Sequence, residues 1–149
     1  MLNSLQTLPP NLSVVMLKCI KNISMNSNTL DVLQTASAIH TLVQVLGDRA
    51  GPYATDVCNH VLTTLFNLCR INKSRQEEAA QAGIIPHLQH IAESSSPLKQ
   101  FALPILCDLA HAGRACRNIL WNNDCLPVYL RLFKDPYWQV TAMDAVLVW

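Results

Sequence analysis

Asn22-Ile23-Ser24 returns as Asn67-Leu68-Cys69 and again as Asp108-Leu109-Ala110, each time closing an apolar stretch. The steps are 45 and then 41 residues. A second landmark moves with the first: Ile39-His40-Thr41-Leu42, Ile85-Pro86-His87-Leu88 and Leu126-Pro127-Val128-Tyr129, separated by 46 and 41 residues. Two independent landmarks therefore agree on one register. A chain built this way buries the apolar side of each unit only against its neighbours, so it must stack. Stacked repeats offer a long surface for binding and rarely a catalytic pocket.

The apolar stretches read as helices. From Pro52 to Arg70, residues Val57, Val61, Leu62, Leu65, Leu68 and Cys69 keep the i, i+4, i+7 rhythm of one buried face. Leu17, Ile20 and Ile23 take the matching places between Asn11 and Ser24, and Leu103, Leu106 and Leu109 between Pro97 and Ala112. Each unit holds a short, a medium and a longer third helix, and no strand alternation survives outside them. A helical period of roughly 40–47 residues marks armadillo and HEAT arrays. The expected fold is all-α: an armadillo-type α-solenoid, a right-handed superhelix of three-helix repeats. The chain divides into a partial repeat (1–48), two full repeats (49–95 and 96–135) and the start of a further one (136–149).

The connectors carry helix-start chemistry. Ser74-Arg75-Gln76-Glu77 reads as a capping box, in which Ser and Glu side chains satisfy exposed amide donors. Ser96-Pro97 and Asp135-Pro136 each place a cap residue before a proline at the first helical position, and Pro86 and Pro127 open middle helices the same way. Gly83 marks the sharp turn between first and second helices of the central repeat, where the other copies carry Ser37-Ala38 and Asp124-Cys125. The chain is expected to begin inside one third helix and stop inside another, as a piece of a longer array would.

Half of the 149 residues are hydrophobic and 14% are charged, against about 25% in an average chain. That leaves more apolar surface than a small solenoid hides. The exposed ends are expected at Val140, Met143, Val146, Leu147 and Trp149 on one side and at Val14, Val15 and Leu17 on the other. Closed pairing is the commonest way to cover such patches, so a homodimer or larger assembly is expected. A net charge of +1 gives no basic stripe for nucleic acid. No stretch approaches the ~20 apolar residues needed to span a membrane. Met1 to Leu5 lacks the charged start and apolar core of a signal peptide. The six cysteines contain no CxxC pair and lie in apolar periodic segments, which reads as buried free thiols in a reducing, cytoplasmic setting.

Catalytic chemistry finds little support. His87, His90 and Glu93 stand three apart, but without an HExxH motif or a converging cysteine pair they read as solvated helix residues. Cys107 and His111, four apart, could form a thiolate–imidazole pair, yet Phe66 and Lys21 occupy the Cys107 place in other repeats. The four glycines make no phosphate-cradling loop, and no serine sits in a GxSxG elbow. Ser94-Ser95-Ser96-Pro97 fits a proline-directed phosphorylation site less well than a helix start. No catalytic residue, cofactor or metal is expected.

The better candidate is the outward side of the third helices. Asn22, Asn67 and Asp108 form one ladder. One turn earlier stand Lys18, Thr63 and Pro104, and Asn59 and Gln100 extend the same face. Asn and Asp are poor helix formers, so three in register need a reason. Either they bond the neighbouring repeat or face water, or they line a groove that engages a partner.

Asn67-Leu68-Cys69 followed by Gly83-Ile84-Ile85-Pro86 resembles an armadillo repeat. Three longer strings sharpen the resemblance: Leu5 to Asn11 (LQTLPPN), Asn72 to Ala80 (NKSRQEEAA) and Ser94 to Pro104 (SSSPLKQFALP). They are similar to the armadillo region of the fungal septation-initiation and mitotic-exit-network serine/threonine kinases, whose plant relatives are called MAP kinase kinase kinase epsilon. The resemblance runs from about Leu5 to Trp149. It implies a kinase domain elsewhere in the parent protein, action at the spindle pole or division site under a small Ras-like GTPase, and a regulatory or targeting role for this segment. Its partners would then be such a GTPase or a spindle-pole scaffold. An importin-like peptide adaptor is the alternative. Importin-like repeats carry a Trp four residues before the ladder Asn; here those places hold Lys18, Thr63 and Pro104.

Overall fold

A computed structural model describes residues 2–5, 7–47 and 51–149; the repeat boundary expected at 48/49 lies outside the described residues. Ten α-helices and no strand occur among them. They are α1 (Pro10–Ser24), α2 (Leu30–Thr35), α3 (Ala38–Gly47), α4 (Ala54–Cys69), α5 (Lys73–Gln81), α6 (Ile85–Glu93), α7 (Lys99–Ala112), α8 (Arg114–Asn122), α9 (Leu126–Leu132) and α10 (Gln139–Leu147). The longer helices pack in series, α1 on α4, α4 on α7 and α7 on α10. Each middle helix lies against the long helix that follows it: α3 on α4, α6 on α7, α9 on α10.

The apolar rhythm places the core largely as expected. Val61, Leu62, Leu65 and Leu68 of α4 are wholly buried, as are Leu103, Leu106 and Leu109 of α7. Full burial of one such side chain is worth about 1.5–3 kcal/mol, so this seam holds the stack together. In α1 the rhythm fails at one seat. Ile23 is 42% exposed while Ser24 is buried, because the Ser24 hydroxyl donates to the Lys21 carbonyl at 2.6 Å and accepts from Asn67 of α4 at 3.0 Å.

The corner between first and second helices repeats in three dimensions. Ser37, Gly83 and Asp124 all hold left-handed backbone, with φ of 58°, 91° and 53°. After α5, Gly83 N–H donates to Ala80 and Ile84 N–H to Ala79; after α8, Asp124 N–H donates to Trp121 and Cys125 N–H to Leu120. These paired bonds close the helix ends in the Schellman manner. Ser37 and Asp124 thus make the turn that glycine makes at 83, against a steric preference. Pro86 and Pro127 sit in the first turns of α6 and α9 as read from sequence.

The helix starts need correction. Asn72, not Ser74, caps α5: its side chain accepts from Arg75 N–H at 3.0 Å. Ser74 lies exposed inside the first turn. The extended backbone that a cap requires falls at Asn72, directly after Ile71, a β-branched residue held at φ 60°. Ser96 and Asp135 do accept from the N–H groups of Leu98 and Tyr137, at 3.2 and 2.9 Å. The prolines after them sit in a turn, and α7 and α10 begin only at Lys99 and Gln139.

Two arginines tie the short helices α5 and α8 to the long helices before them. Arg75 donates to the Leu68 carbonyl at 3.5 Å and Arg117 to the Ala110 carbonyl at 3.0 Å. A cation at the carbonyl end of a helix also meets the negative end of its dipole. Arg75 is 5% exposed, pairs with Asp31 and donates to Gln34 at 3.1 Å. Gln34 in turn donates to Glu78 at 3.0 Å, and Gln76 donates to the Cys69 carbonyl at 2.8 Å.

The ends are better covered than expected. Leu17 is 1% exposed and Val14 is half-buried. Before α1 the chain forms a short 3-10 turn, Leu2–Ser4, packed on α3, with Leu2 and Leu5 in the core. At the other end Val146 and Trp149 fold onto the core, and the Trp149 ring meets Tyr129 edge-on with centroids 5.4 Å apart. Val140, Met143 and Leu147 do stand out, at 71%, 45% and 83%. Among the cysteines, Cys69, Cys107, Cys116 and Cys125 are buried as expected. Cys19 is exposed and Cys58 half-buried.

Candidate partner-binding face

The ladder residues lie on three of the serially packed long helices, α1, α4 and α7. Lys18, Asn22 and Gln100 are exposed, while Asn59, Thr63, Asn67 and Asp108 are half-buried.

The rungs are not equivalent. The Asn67 amide is committed to Ser24 of α1, which makes it a cross-repeat tie. Thr63 returns its hydroxyl to the Asn59 carbonyl one turn back, at 2.7 Å. Lys18, Asn22 and Gln100 make no side-chain hydrogen bond to a described residue. Pro104 stands inside α7 and has no N–H to offer the Gln100 carbonyl, so that acceptor is also left without its usual helical donor.

Charge gathers at particular points. Desolvation holds the Asp108 carboxyl above the ordinary carboxylate value, with His111 pulling the other way. His111 Nε2 lies 3.2 Å from Asp144 of α10. At the α1–α4 seam, burial lowers the His60 pKa, Lys21 and Lys18 lower it further, and Asp56 opposes them. His60 Nδ1 is buried without a hydrogen-bond partner among the described residues. Between α4 and α7, Phe66 and Phe101 meet edge-to-face at 5.7 Å.

Burial pushes the Cys107 thiol up to about 12, so it offers no thiolate to His111 at neutral pH. Among the described residues, no group of three or more His, Cys, Asp or Glu side chains is placed to hold a metal ion. Glu93 pairs with Arg131 instead of joining His87 and His90. A cavity of about 350 Å³ lies between the start of α1, the end of α3 and the start of α4; it is mainly apolar and none of the ladder residues lines it. No described helix is long and apolar enough to cross a membrane.

Sequence reasoning missed Ser24, Arg75, Arg117 and the His111–Asp144 contact. The arginines left a usable signal: each follows its carbonyl partner by seven residues. Ser24 left none, since a serine closing an apolar run looks like a terminator.

No family model matches the chain. Its whole length nonetheless has known counterparts. It is 50% identical over 149 residues to Cytokinesis protein sepH of Emericella nidulans, which covers 99% of this chain and 11% of that protein. The chain is similar to one segment of a far longer protein. MAP3K epsilon protein kinase 1 of Brassica napus is 48% identical over 139 residues, covering 93% of this chain and 11% of that protein. Cell division control protein 7 of Schizosaccharomyces pombe is 36% identical over 143 residues, covering 95% and 14%. The chain thus spans about a tenth of the curated relatives it matches, and the septation-kinase resemblance read from its strings agrees with all three names.

Proposed function

We propose that this chain is a non-catalytic, armadillo-type interaction segment that regulates or targets a cytokinesis kinase. The observation that carries the reading is its 50% identity, over 99% of its length, to about 11% of a cytokinesis protein. A segment kept at that level without a catalytic set does its work by contact. The serial packing of three-helix units supports the right-handed solenoid form, with units near 49–95 and 96–135, and the ladder of Lys18, Asn22, Asn59, Thr63, Asn67, Gln100 and Asp108 is the face that meets a protein partner. By resemblance that partner is a small Ras-like GTPase or a spindle-pole scaffold, and the place of action is the cytoplasm at the spindle pole or division site. Self-association belongs to the same proposal, through the exposed Val140, Met143 and Leu147 rather than the covered Val146 and Trp149.

The test is to express the segment with a fluorescent tag in dividing fungal cells and to precipitate it with its bound proteins. Accumulation at the division apparatus with a Ras-like GTPase or pole scaffold in the precipitate is expected. Uniform fluorescence and an empty precipitate would overturn the proposal. Purified segment mixed with ATP and a generic protein substrate should transfer no phosphate above background.

A further inference from the structure

Of the eight prolines, only Pro97 follows a serine or threonine. A Ser-Pro pair is what proline-directed protein kinases read, and Lys99 adds a cation three residues after Ser96. A helix start competes for this string, but Pro97 does not take the first helical position. It lies in a turn with Leu98, and α7 begins at Lys99. The connector from α6 to α7 is residues 94–98, with Ser95 and Pro97 exposed and Ser96 half-buried between them. The three serines are not alike. Ser94 donates its hydroxyl to the Ile91 carbonyl at 2.8 Å and accepts from the Ser96 N–H at 3.1 Å. Ser95 is followed by serine, not proline. Ser96 Oγ accepts from the Leu98 N–H at 3.2 Å and donates to no described residue, so its own proton is free to leave.

We propose that Ser96 is a phosphorylation site for a proline-directed protein kinase, and that its phosphate is held at the head of α7. In the transfer, Ser96 Oγ bonds to the γ-phosphorus of ATP and the bond from that phosphorus to the β,γ-bridging oxygen breaks. ADP leaves with the electron pair, and the hydroxyl proton passes to a carboxylate of the kinase. The surroundings suit the product. The phosphate brings about −1.5 to −2 charge and three strong acceptor oxygens to the atom that the Leu98 N–H already meets. The next two amides, of Lys99 and Gln100, make only long bonds, 3.3 and 3.4 Å, to the Ser96 and Pro97 carbonyls. The start of a helix favours negative charge, and Lys99 stands in that first turn. Glu93, the carboxylate at the end of α6, is already paired with Arg131.

The test incubates the folded chain, and separately a synthetic peptide of residues 91–102, with a purified proline-directed kinase and magnesium ATP. Tandem mass spectrometry then locates the phosphate. The chain should take up one phosphoryl group, at Ser96. Ser96→Ala should take up none, and Pro97→Ala should cut kcat/KM for the transfer about tenfold or more. Cooperative thermal melts will show that the variants fold. The phosphorylated chain should melt above the unmodified one, and the gain should shrink in high salt and in Lys99→Ala, as a charge held by amides and a lysine requires. Modification of the peptide but not of the folded chain would show that the fold withholds Ser96, and would overturn the proposal. So would phosphate spread over other serines, or uptake by Ser96→Ala equal to the parent's. A phosphorylated chain that melts lower would overturn the placement of the phosphate at the head of α7.

Discussion

Behind α4, Arg75 and Gln76 are almost wholly buried and their polar atoms close on Asp31, Gln34 and the carbonyls of Leu68 and Cys69. On α1 and α7, Lys18, Asn22 and Gln100 stand in solvent without a hydrogen bond to a described residue, and Asp108 is half-buried without one. The first group sits on α2, α5 and the end of α4, the second on α1 and α7, and they differ in what their polar groups have been given to do. Buried polar groups that hold a fold are satisfied, since an unsatisfied one costs about 1–3 kcal/mol. Groups left open at a surface cost the fold little, so their recurrence needs another explanation.

The largest expected effect lies behind the ladder. Arg75→Ala removes a buried cation together with its bonds to Asp31, Gln34 and Leu68, and should lower unfolding free energy by about 2–4 kcal/mol in urea titration. Arg117→Ala makes the same kind of change with a single carbonyl partner and should cost about 1 kcal/mol. Equal losses at the two sites would show that the arginines do not act through these bonds.

Asn67→Ala tests the one rung that the fold itself uses. It deletes the tie to Ser24 and should cost about 1 kcal/mol. Ser24→Ala in the same chain should add less than it costs alone, because the two side chains share one bond and only the Ser24 bond to Lys21 remains to be lost. Full additivity would argue that Asn67 is held some other way.

Asp108→Asn should act in the opposite direction. Desolvation raises the folded-state pKa of Asp108 above its ordinary 3.8, so ionisation costs the folded state stability. That cost is absent below the ordinary value and complete once pH has risen through the folded value. The variant should therefore melt slightly higher at neutral pH, by no more than about 1 kcal/mol in free energy, and match the parent in acid. A gain that persists at pH 3 would show that something other than charge is responsible.

Much of this was legible in the chain because periodicity reports burial. The Asn67-Leu68-Cys69 phrase and its copies set the helix register, and Ser37, Gly83 and Asp124 take the same left-handed corner at the spacing the landmarks gave. Tertiary choices were not legible. Asn72 and Ser74 are both good caps two residues apart, and only the backbone entering from Ile71 selects between them. Val146 and Trp149 read as an open end, yet the final turn swings the Trp149 ring onto Tyr129. Ile23 and Ser24 exchange seats because a hydrogen bond from α4 outweighs one apolar contact. The ladder's residues could be named from the repeat, whereas its division into committed and open rungs required geometry.

The most direct test of that division measures stability and partner capture together for Asn22→Ala/Gln100→Ala. Both residues are exposed, so unfolding free energy should move by less than ~0.5 kcal/mol, while the proteins captured by the unaltered segment should be lost. Capture at full strength, or a loss of stability approaching that of Arg75→Ala, would contradict the account.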